Sequence, residues 1–505
     1  MNKLDTLILG LSPAWGMRRL QHRLAAQTIG QRTRAYDAAS KGRRTKGWKA
    51  PGTSANAETE RGATITRYRA RDLARNNAWA AKALMVITNN VVGTGIRGQF
   101  TDPGRQSKRS EKKIELAMGL WQEWAESTAC DFDGRHDLYG LQAIVMDTAA
   151  RDGEALIRKH RVAGLKIPLQ LQILEVDHLD TSKTTGDGGR AVLQGVEVDE
   201  LGRAVAYWLF PHHPGDVSFW GKMLGQNKSI RVPADQVDRV YRQERAGQIR
   251  GVTWFAPIAI PLRDLDALED ARLIQQVIAS CFAVFVTNAN GEGEPTTGAE
   301  SDEERDRIEK IQPGIFEYLQ PGESVEFAAP PAPEGFGEFQ RTILRKIAAG
   351  LGVTYEALTG DLSQTNFSGG RMGWLEFWRN IEAWRWRMLI PQGCDPIGRA
   401  FMEAARFGGF DLSGLVMEWS PPHRELINPK EEIAAMLAEV RAGFKSLSQV
   451  IRERGYDPMT VLKEIAEDAK LLDELGLVLD SDPRKTTQQG QPRDKAPTPA
   501  KVPET

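Results

Sequence analysis

Apolar side chains at Phe339, Ile343, Ile347 and Leu351 recur every four residues, marking one face of an amphipathic helix that Gly350 and Gly352 bring to an end. A denser stripe follows at Trp374, Phe377, Trp378, Ile381, Trp384 and Met388 and predicts a second helix over 372–390. Between the two, DLSQTNFSGGR (residues 361–371) is rich in hydroxyl, amide and glycine positions; it cannot build a core and reads as a loop with no need of a fixed conformation. Upstream, Leu73, Ala80, Leu84, Ile87 and Val91 predict one helix over 67–91, ended by the glycines at 93 and 95. Further helices are expected over 110–126 and 137–151. Polar residues alternate with Leu165, Ile167, Leu169, Leu171 and Ile173, the period of a half-buried strand. Two more β runs, Val192–Val198 and Ala204–Phe210, flank DELGR, a hairpin connection. A helix over 261–287 begins with Asp264, Asp266, Glu269 and Asp270, which suit the positive end of its dipole. Residues 288–335 turn to Asn, Gly, Glu and Pro around a short helical piece near 301–311, helices resume over 428–475, and the polar, Pro-rich stretch after 478 is expected to be disordered. The pattern is α+β and mainly helical.

Composition adds little to this except in its charge distribution. A chain of 505 residues with 41% hydrophobic content can fill one or more cores. Cys130, Cys281 and Cys394 lie far apart with no CxxC spacing, which argues for neither disulfides nor a zinc site and fits a reducing cytoplasm. The longest apolar run, Val277–Val286, is too short to span a bilayer, and the start of the chain shows no clean signal-peptide pattern. The net charge of −1 hides an asymmetry: residues 1–50 hold 11 Lys and Arg against 2 Asp and Glu, leaving 55 against 65 for the remainder. The arm is basic and the body acidic. A basic arm suits a nucleic-acid tether or a merely soluble extension.

Motifs that would carry chemistry are weak. Gly93-Thr-Gly95-Ile-Arg-Gly98 matches GxGxxG but follows a helix, whereas the dinucleotide fingerprint follows a strand. No GxxxxGK[ST] cradle for a triphosphate is present, and no GxSxG nucleophile turn. Asp131-Phe-Asp133-Gly-Arg-His136 and Glu175-Val-Asp177-His178-Leu-Asp180 gather hard ligands, so a metal-dependent phosphodiesterase using Asp131, Asp133, Asp177 and His178 stands as the alternative function. The bland reading is a solvated turn for the first and a capped strand end for the second; His212-His213 reads as a loop.

Three collinear blocks bear a resemblance. RKIAAGLGVTYEALTGDLSQTNFSGGR (345–371) resembles the stem helix, tunnel loop and tunnel-helix start of lambda-type tailed-phage portal proteins; Ala70–Ile96 resembles their N-terminal helix, and Leu437–Asp468 their C-terminal helical region. The resemblance implies a basic flexible arm at 1–59, an α/β wing at 60–260, a stem helix at 261–287, a clip at 288–335 and a second stem helix at 336–360. A tunnel loop at 361–371, a tunnel helix and wing return at 372–427, crown helices at 428–478 and a disordered tail at 479–505 complete it. Such proteins form a ring of about twelve subunits at one capsid vertex. The implied partners are double-stranded DNA in the channel, the terminase large subunit, and the major capsid and head–tail joining proteins, in the host cytoplasm during assembly and then in the virion. No membrane, cofactor, metal or catalytic residue is implied. The DNA-facing loop would be Ser363, Gln364, Thr365, Asn366, Ser368, Gly369, Gly370 and Arg371, with Trp374, Phe377, Trp378 and Trp384 packing the tunnel helix. An acidic body suits a conduit, because gripping duplex DNA by counterion release needs a surplus of cations. Protein lacking residues 1–50 is therefore expected to bind duplex DNA weakly at about 0.15 M salt in a fluorescence titration, and tight binding with a steep salt slope would show a basic channel wall instead.

Overall fold

The single helix expected over 67–91 is two. The computed structural model describes residues 12–19, 21–22, 43, 46–104, 108–216, 227–280, 284–287, 316–319, 335–456, 458–479, 482 and 484–485. Helices α1 (Ala55–Asn76) and α2 (Ala78–Val91) meet at Asn77, which is extended (φ −112°) and whose side-chain oxygen accepts from the Ala80 amide at 3.0 Å. That is an N-cap, and the chain restarts a helix there. Residues 1–54 and 55–505 are separate units; of the first, residues 13–19 are helical.

After Gly93 and Gly95, both at positive φ, comes strand β1 (Arg97–Thr101), so the GxGxxG match ends a helix and enters a strand. A Cβ on Gly95 would lie 2.3 Å from the Tyr139 ring, which is why glycine stands there. Helices α3 (Lys108–Ala125) and α4 (Leu138–Asp152) follow. The strands of the α/β part are β2 (Glu154–His160), β3 (Gln170–Glu175), β4 (Val192–Leu193), β5 (Val196–Val198), β6 (Ala204–Leu209), β7 (Ile230–Pro233) and β8 (Val237–Tyr241). They form two antiparallel sheets, β3-β2-β8 and β4-β5-β6-β7. The alternation at 165–173 starts its strand late, at Gln170, with Ile167 and Leu169 buried ahead of it. β2 escaped the pattern because its first four residues are buried on both faces and do not alternate. The run 192–198 folds on itself at Gln194 (φ 51°) and Gly195 (φ 88°), a tight primed-type turn.

Helix α5 (Ala259–Ser280) stops short of 287, and residues 284–287 form β9, parallel to β10 (Phe316–Leu319). No acidic residue falls in its first turn, so Asp264 and Asp266 serve the dipole less than expected. The rest of the clip segment, the helical piece at 301–311, Cys281 and all but a few residues of the tail lie outside the described residues. The second half continues with α6 (Phe336–Leu351), α7 (Tyr355–Thr359), α8 (Phe367–Trp384), a π-helical segment (Arg385–Cys394), α9 (Asp395–Phe407), β11 (Val416–Ser420), α10 (Pro429–Arg441), α11 (Leu447–Glu453) and α12 (Pro458–Glu474). Gly350 does not end α6; a Cβ there would lie 2.4 Å from Ile258, so it permits close packing, and Gly352 at φ 74° is the terminator.

One core gathers α2 to α4, β2, α6 to α9 and the π-helical segment, and a smaller one lies between the two sheets. β11 pairs with β1 across more than 300 residues of sequence and brings Trp419 onto Trp121, which itself packs against Phe100, Trp124 and Phe401. Burying each large side chain of this kind stabilises by roughly 1.5–3 kcal/mol. Arg385, at the α8–π junction, is only 1% exposed and donates to the carbonyls of Asn90, Val91 and Pro422 at 2.7–2.9 Å. Replacing it by Met strands these buried acceptors and is expected to cost roughly 3–5 kcal/mol in denaturant unfolding, with Arg385→Lys intermediate; a change below about 1 kcal/mol, the worth of a single ordinary hydrogen bond, would show the junction to be held by packing alone.

Candidate functional site

The chain from Gly352 to Trp374 is ordered by its own short-range polar groups. Thr354 accepts from the Ala357 amide and starts α7, which Gly360 ends at φ 74°. Asp361 then accepts from the Ser363 amide at 3.0 Å and from the Tyr355 hydroxyl at 2.9 Å, with Arg341 3.6 Å away. The Thr365 hydroxyl donates to Glu356 at 3.1 Å. Asn366 accepts from the Gly369 amide at 2.6 Å and starts α8 at Phe367. The loop is therefore residues 360–366, with fixed turns. Ser368, Gly369, Gly370 and Arg371, expected in it, form the first turns of the helix instead. The two glycines argue against a helix start; Asn366 was the legible signal for one.

Of the residues assigned to the loop, Ser363, Gln364, Asn366, Ser368 and Gly369 are exposed, and Thr365, Gly370 and Arg371 half-buried. Arg371 makes no hydrogen bond or ion pair among the described residues. What the sequence reading missed is that Leu362 and Phe367 stand about two-thirds exposed beside them, at 66% and 64%. Both line a hollow of about 400 Å3 with Ala357, Trp374 and Ile427. Along the helix, Phe377, Ile381, Trp384 and Met388 are buried, and Trp374 and Trp378 are partly buried against the same core. Trp384 lies 4.9 Å from Trp254 and Phe377 5.7 Å from Trp374, while Arg385 stacks over Trp378.

The acidic clusters resolve into local structure. The Asp131 carboxylate accepts from the amides of Asp133, Arg135 and His136 at 2.8–3.1 Å; burial opposes its charge, but these amides hold its pKa below the ordinary value. Asp177 is likewise held low, against its burial, by the guanidinium groups of Arg67 and Arg71, the latter also bound to Asp152. His178 is turned to the Phe210 carbonyl, and burial lowers its pKa. The residue whose ligand atom does approach Glu175 and Asp177, all within 4.8 Å, is His213, which the sequence placed in a plain loop. Three arginines, Arg67, Arg71 and Arg151, already pair with these carboxylates. Asp131 and Asp133 are not gathered with them. Among the described residues no helix is long and apolar enough to cross a membrane.

The sequence model of a family described as phage portal protein, lambda family, matches residues 41–385. A probable portal protein of Halomonas phage phiHAP-1 is 27% identical over 81% of this chain and 81% of its own. Portal protein B of Escherichia phage lambda is 24% identical over 66% of this chain and 67% of its own, and the portal protein of Escherichia phage N15 is 24% identical over 82% and 85%. Among solved structures, a chain from the neck of a native gene transfer agent particle, computed with C12 symmetry, covers 77% of this chain and 94% of its own at 13% identity and a TM-score of 0.42.

Asn366→Ala removes the cap of α8 and is expected to lower stability by about 1 kcal/mol in denaturant unfolding, a loss that Asn366→Ser restores. Asp361 should titrate at about 2, because the Ser363 hydroxyl and amide and the Tyr355 hydroxyl favour its charged form. A carboxyl lowered by folding contributes stability that is present above its unfolded value near ~3.9 and is lost as pH falls through about 2. Carbon-detected NMR titration of Asp361 checks this, and a midpoint near ~4 would mean that the turn is not formed in solution.

Proposed function

The chain belongs to the lambda family of phage portal proteins, and from that premise we propose that about twelve copies close into a ring at one capsid vertex, through which double-stranded DNA is packaged and ejected. Members of this family are structural proteins, and the chain serves as a conduit rather than a catalyst. Assembly takes place in the host cytoplasm and the ring ends in the virion. It docks the terminase large subunit during packaging and the head–tail joining and major capsid proteins around it. Residues 60–260 act as the wing, 261–287 and 336–360 as the stem, and 288–335 as the clip; 372–427 supply the tunnel helix and wing return, and 428–478 the crown.

The observation that carries the DNA-facing role of the loop is its chemistry as folded. From Leu362 to Gly370 there is no charge. The carboxylate that precedes it is already engaged by Ser363 and Tyr355. Exposed hydroxyl and amide groups touch a phosphate backbone without the counterion release that would hold it. A basic loop would brake a sliding duplex; this one lets it pass. Arg371, set back in the first turns of α8, is the nearest cation along the sequence, and Arg341 lies 3.6 Å from Asp361.

Negative-stain microscopy and solution mass check the assembly: annular particles near twelve times 56.1 kDa are expected, and a monomer would overturn the ring. The loop is checked separately by replacing Leu362–Thr365 with Gly-Ser-Gly-Ser, which spares the Asn366 cap. Rings and thermal midpoint should change little while the yield of DNA-filled heads falls. Full heads at the normal rate would make the loop a passive connector.

A further inference from the structure

A groove of about 890 Å3 lies between the π-helical segment and helices α10 and α11. Its wall on one side is aromatic and proline-faced, with Trp378, Trp386 and Pro391, and Pro421 and Pro422 lie opposite. Trp386 is half-exposed, at 50%, and its indole N–H donates to Glu382 at 2.8 Å. The ring is thereby fixed in place with a carboxylate at its edge. Of the groove's lining residues six are acidic and four basic, a surplus of negative charge. An aromatic wall of this kind accepts a polyproline II strand, whose conformation is preset and costs little entropy to bind, and a carboxylate beside it selects prolines flanked by Lys or Arg.

This chain carries a sequence suited to that conformation. Pro492–Pro503, PRDKAPTPAKVP, has four prolines, three cations and one anion. The other cationic stretch, residues 18–49, contains no proline. Reach is sufficient. Lys485 and Arg484 bind Asp473 near the end of α12, and Arg454, the residue just after α11, lines the groove. From Arg454 to Asp473 is at most roughly 40 Å, given a helix rise of about 1.5 Å per residue and about 3.6 Å per extended residue before it. The twenty residues 486–505 cover roughly 60 Å at the polyproline rise of about 3.1 Å.

We propose that residues 486–505 dock in this groove, prolines on the Trp386 ring and flanking cations toward the groove's acidic surplus, so that the segment ties the π-helical segment to α10 and α11. The dock is set either within one chain or between neighbouring copies. The test uses the full chain with Thr498 replaced by p-benzoylphenylalanine, irradiated, digested and mapped by mass spectrometry. Crosslinks are expected within residues 378–391 and 421–436, of the same chain or of a second copy. Trp386→Ala, at an exposed position, should lower their yield at least tenfold while leaving the unfolding midpoint in place, and Pro497→Ala with Pro499→Ala should do the same. Crosslinks scattered over other surfaces, or a groove crosslink that survives Trp386→Ala undiminished, would overturn the proposal. Ring formation, read on the same sample by negative stain, reports on the portal assembly independently.

Discussion

A single buried cation fixes how the two halves of the molecule meet. Removing a guanidinium from water is costly, and at 1% exposure Arg385 recovers that cost only through the groups arranged around it. Burial lowers its pKa, and Glu382 at 3.0 Å opposes this. Its other partners are the carbonyls of Asn90 and Val91, among the last of α2 and so without helical donors, and that of Pro422, beyond β11. The four hydrogen bonds of the Arg385 guanidinium therefore cap one helix, anchor a distant loop and mark where α8 gives way to π geometry. Trp378 covers the outer face of the guanidinium.

This placement makes the two ends of α8 unlike each other. The C-terminal end is tied to sequence nearly 300 residues away through Arg385, and the π-helical segment beyond it is tied again where the Tyr241 amide donates to Gln392 at 2.9 Å. Pro391, which lacks an N–H and would break an α-helical ladder, sits inside that wider turn. At the N-terminal end the contacts are local: Asn366 with Gly369, Thr365 with Glu356, Asp361 with Tyr355 and Ser363. Local hydrogen bonds worth about 1 kcal/mol each open far more readily than a packed aromatic core. A helix held rigidly at its base and lightly at its tip leaves the loop able to yield without disturbing the core, as the DNA-facing role proposed for it requires.

How much of this was legible depended on whether the signal was periodic or pairwise. The amphipathic faces of α6 and α8 and the alternation leading into β3 stand in the sequence because burial imposes a period on it. Asn77 and Asn366 are of a residue type that favours N-caps, but apolar spacing runs unbroken across the first and two glycines closely follow the second. β2 could not be seen, since a strand covered on both faces loses its alternation. Nor could Arg385 or His213: each owes its role to partners brought in by the fold, from Asn90 and Pro422 in one case and Glu175 in the other. The Glu175–Asp180 cluster could be read for metal ligands for the same reason, as Arg67 and Arg71, which pair with its carboxylates, lie more than a hundred residues upstream. In the loop the polar composition was plain, whereas the exposure of Leu362 and Phe367 was not.

One part of the pattern remains unsolved within a single chain. In α10, α11 and α12 only Glu432 and Pro458 are buried, although Ile433, Leu437, Leu447, Met459, Ile465 and Leu471 are apolar and each at least 40% exposed. Helices of this length draw most of their stability from burying such a face. On α5, Leu273, Ile274 and Val277 are exposed in the same way. A lone copy would thus present apolar helix faces to water on α5 and on α10 to α12. Side-by-side copies would offer such faces a partner without any new chemistry. The acidic body sets the opposite condition, because like charges on adjacent copies repel and only burial of this kind outweighs them. The hydrophobic pattern therefore supports closure into a multi-subunit assembly on physical grounds that do not depend on the family.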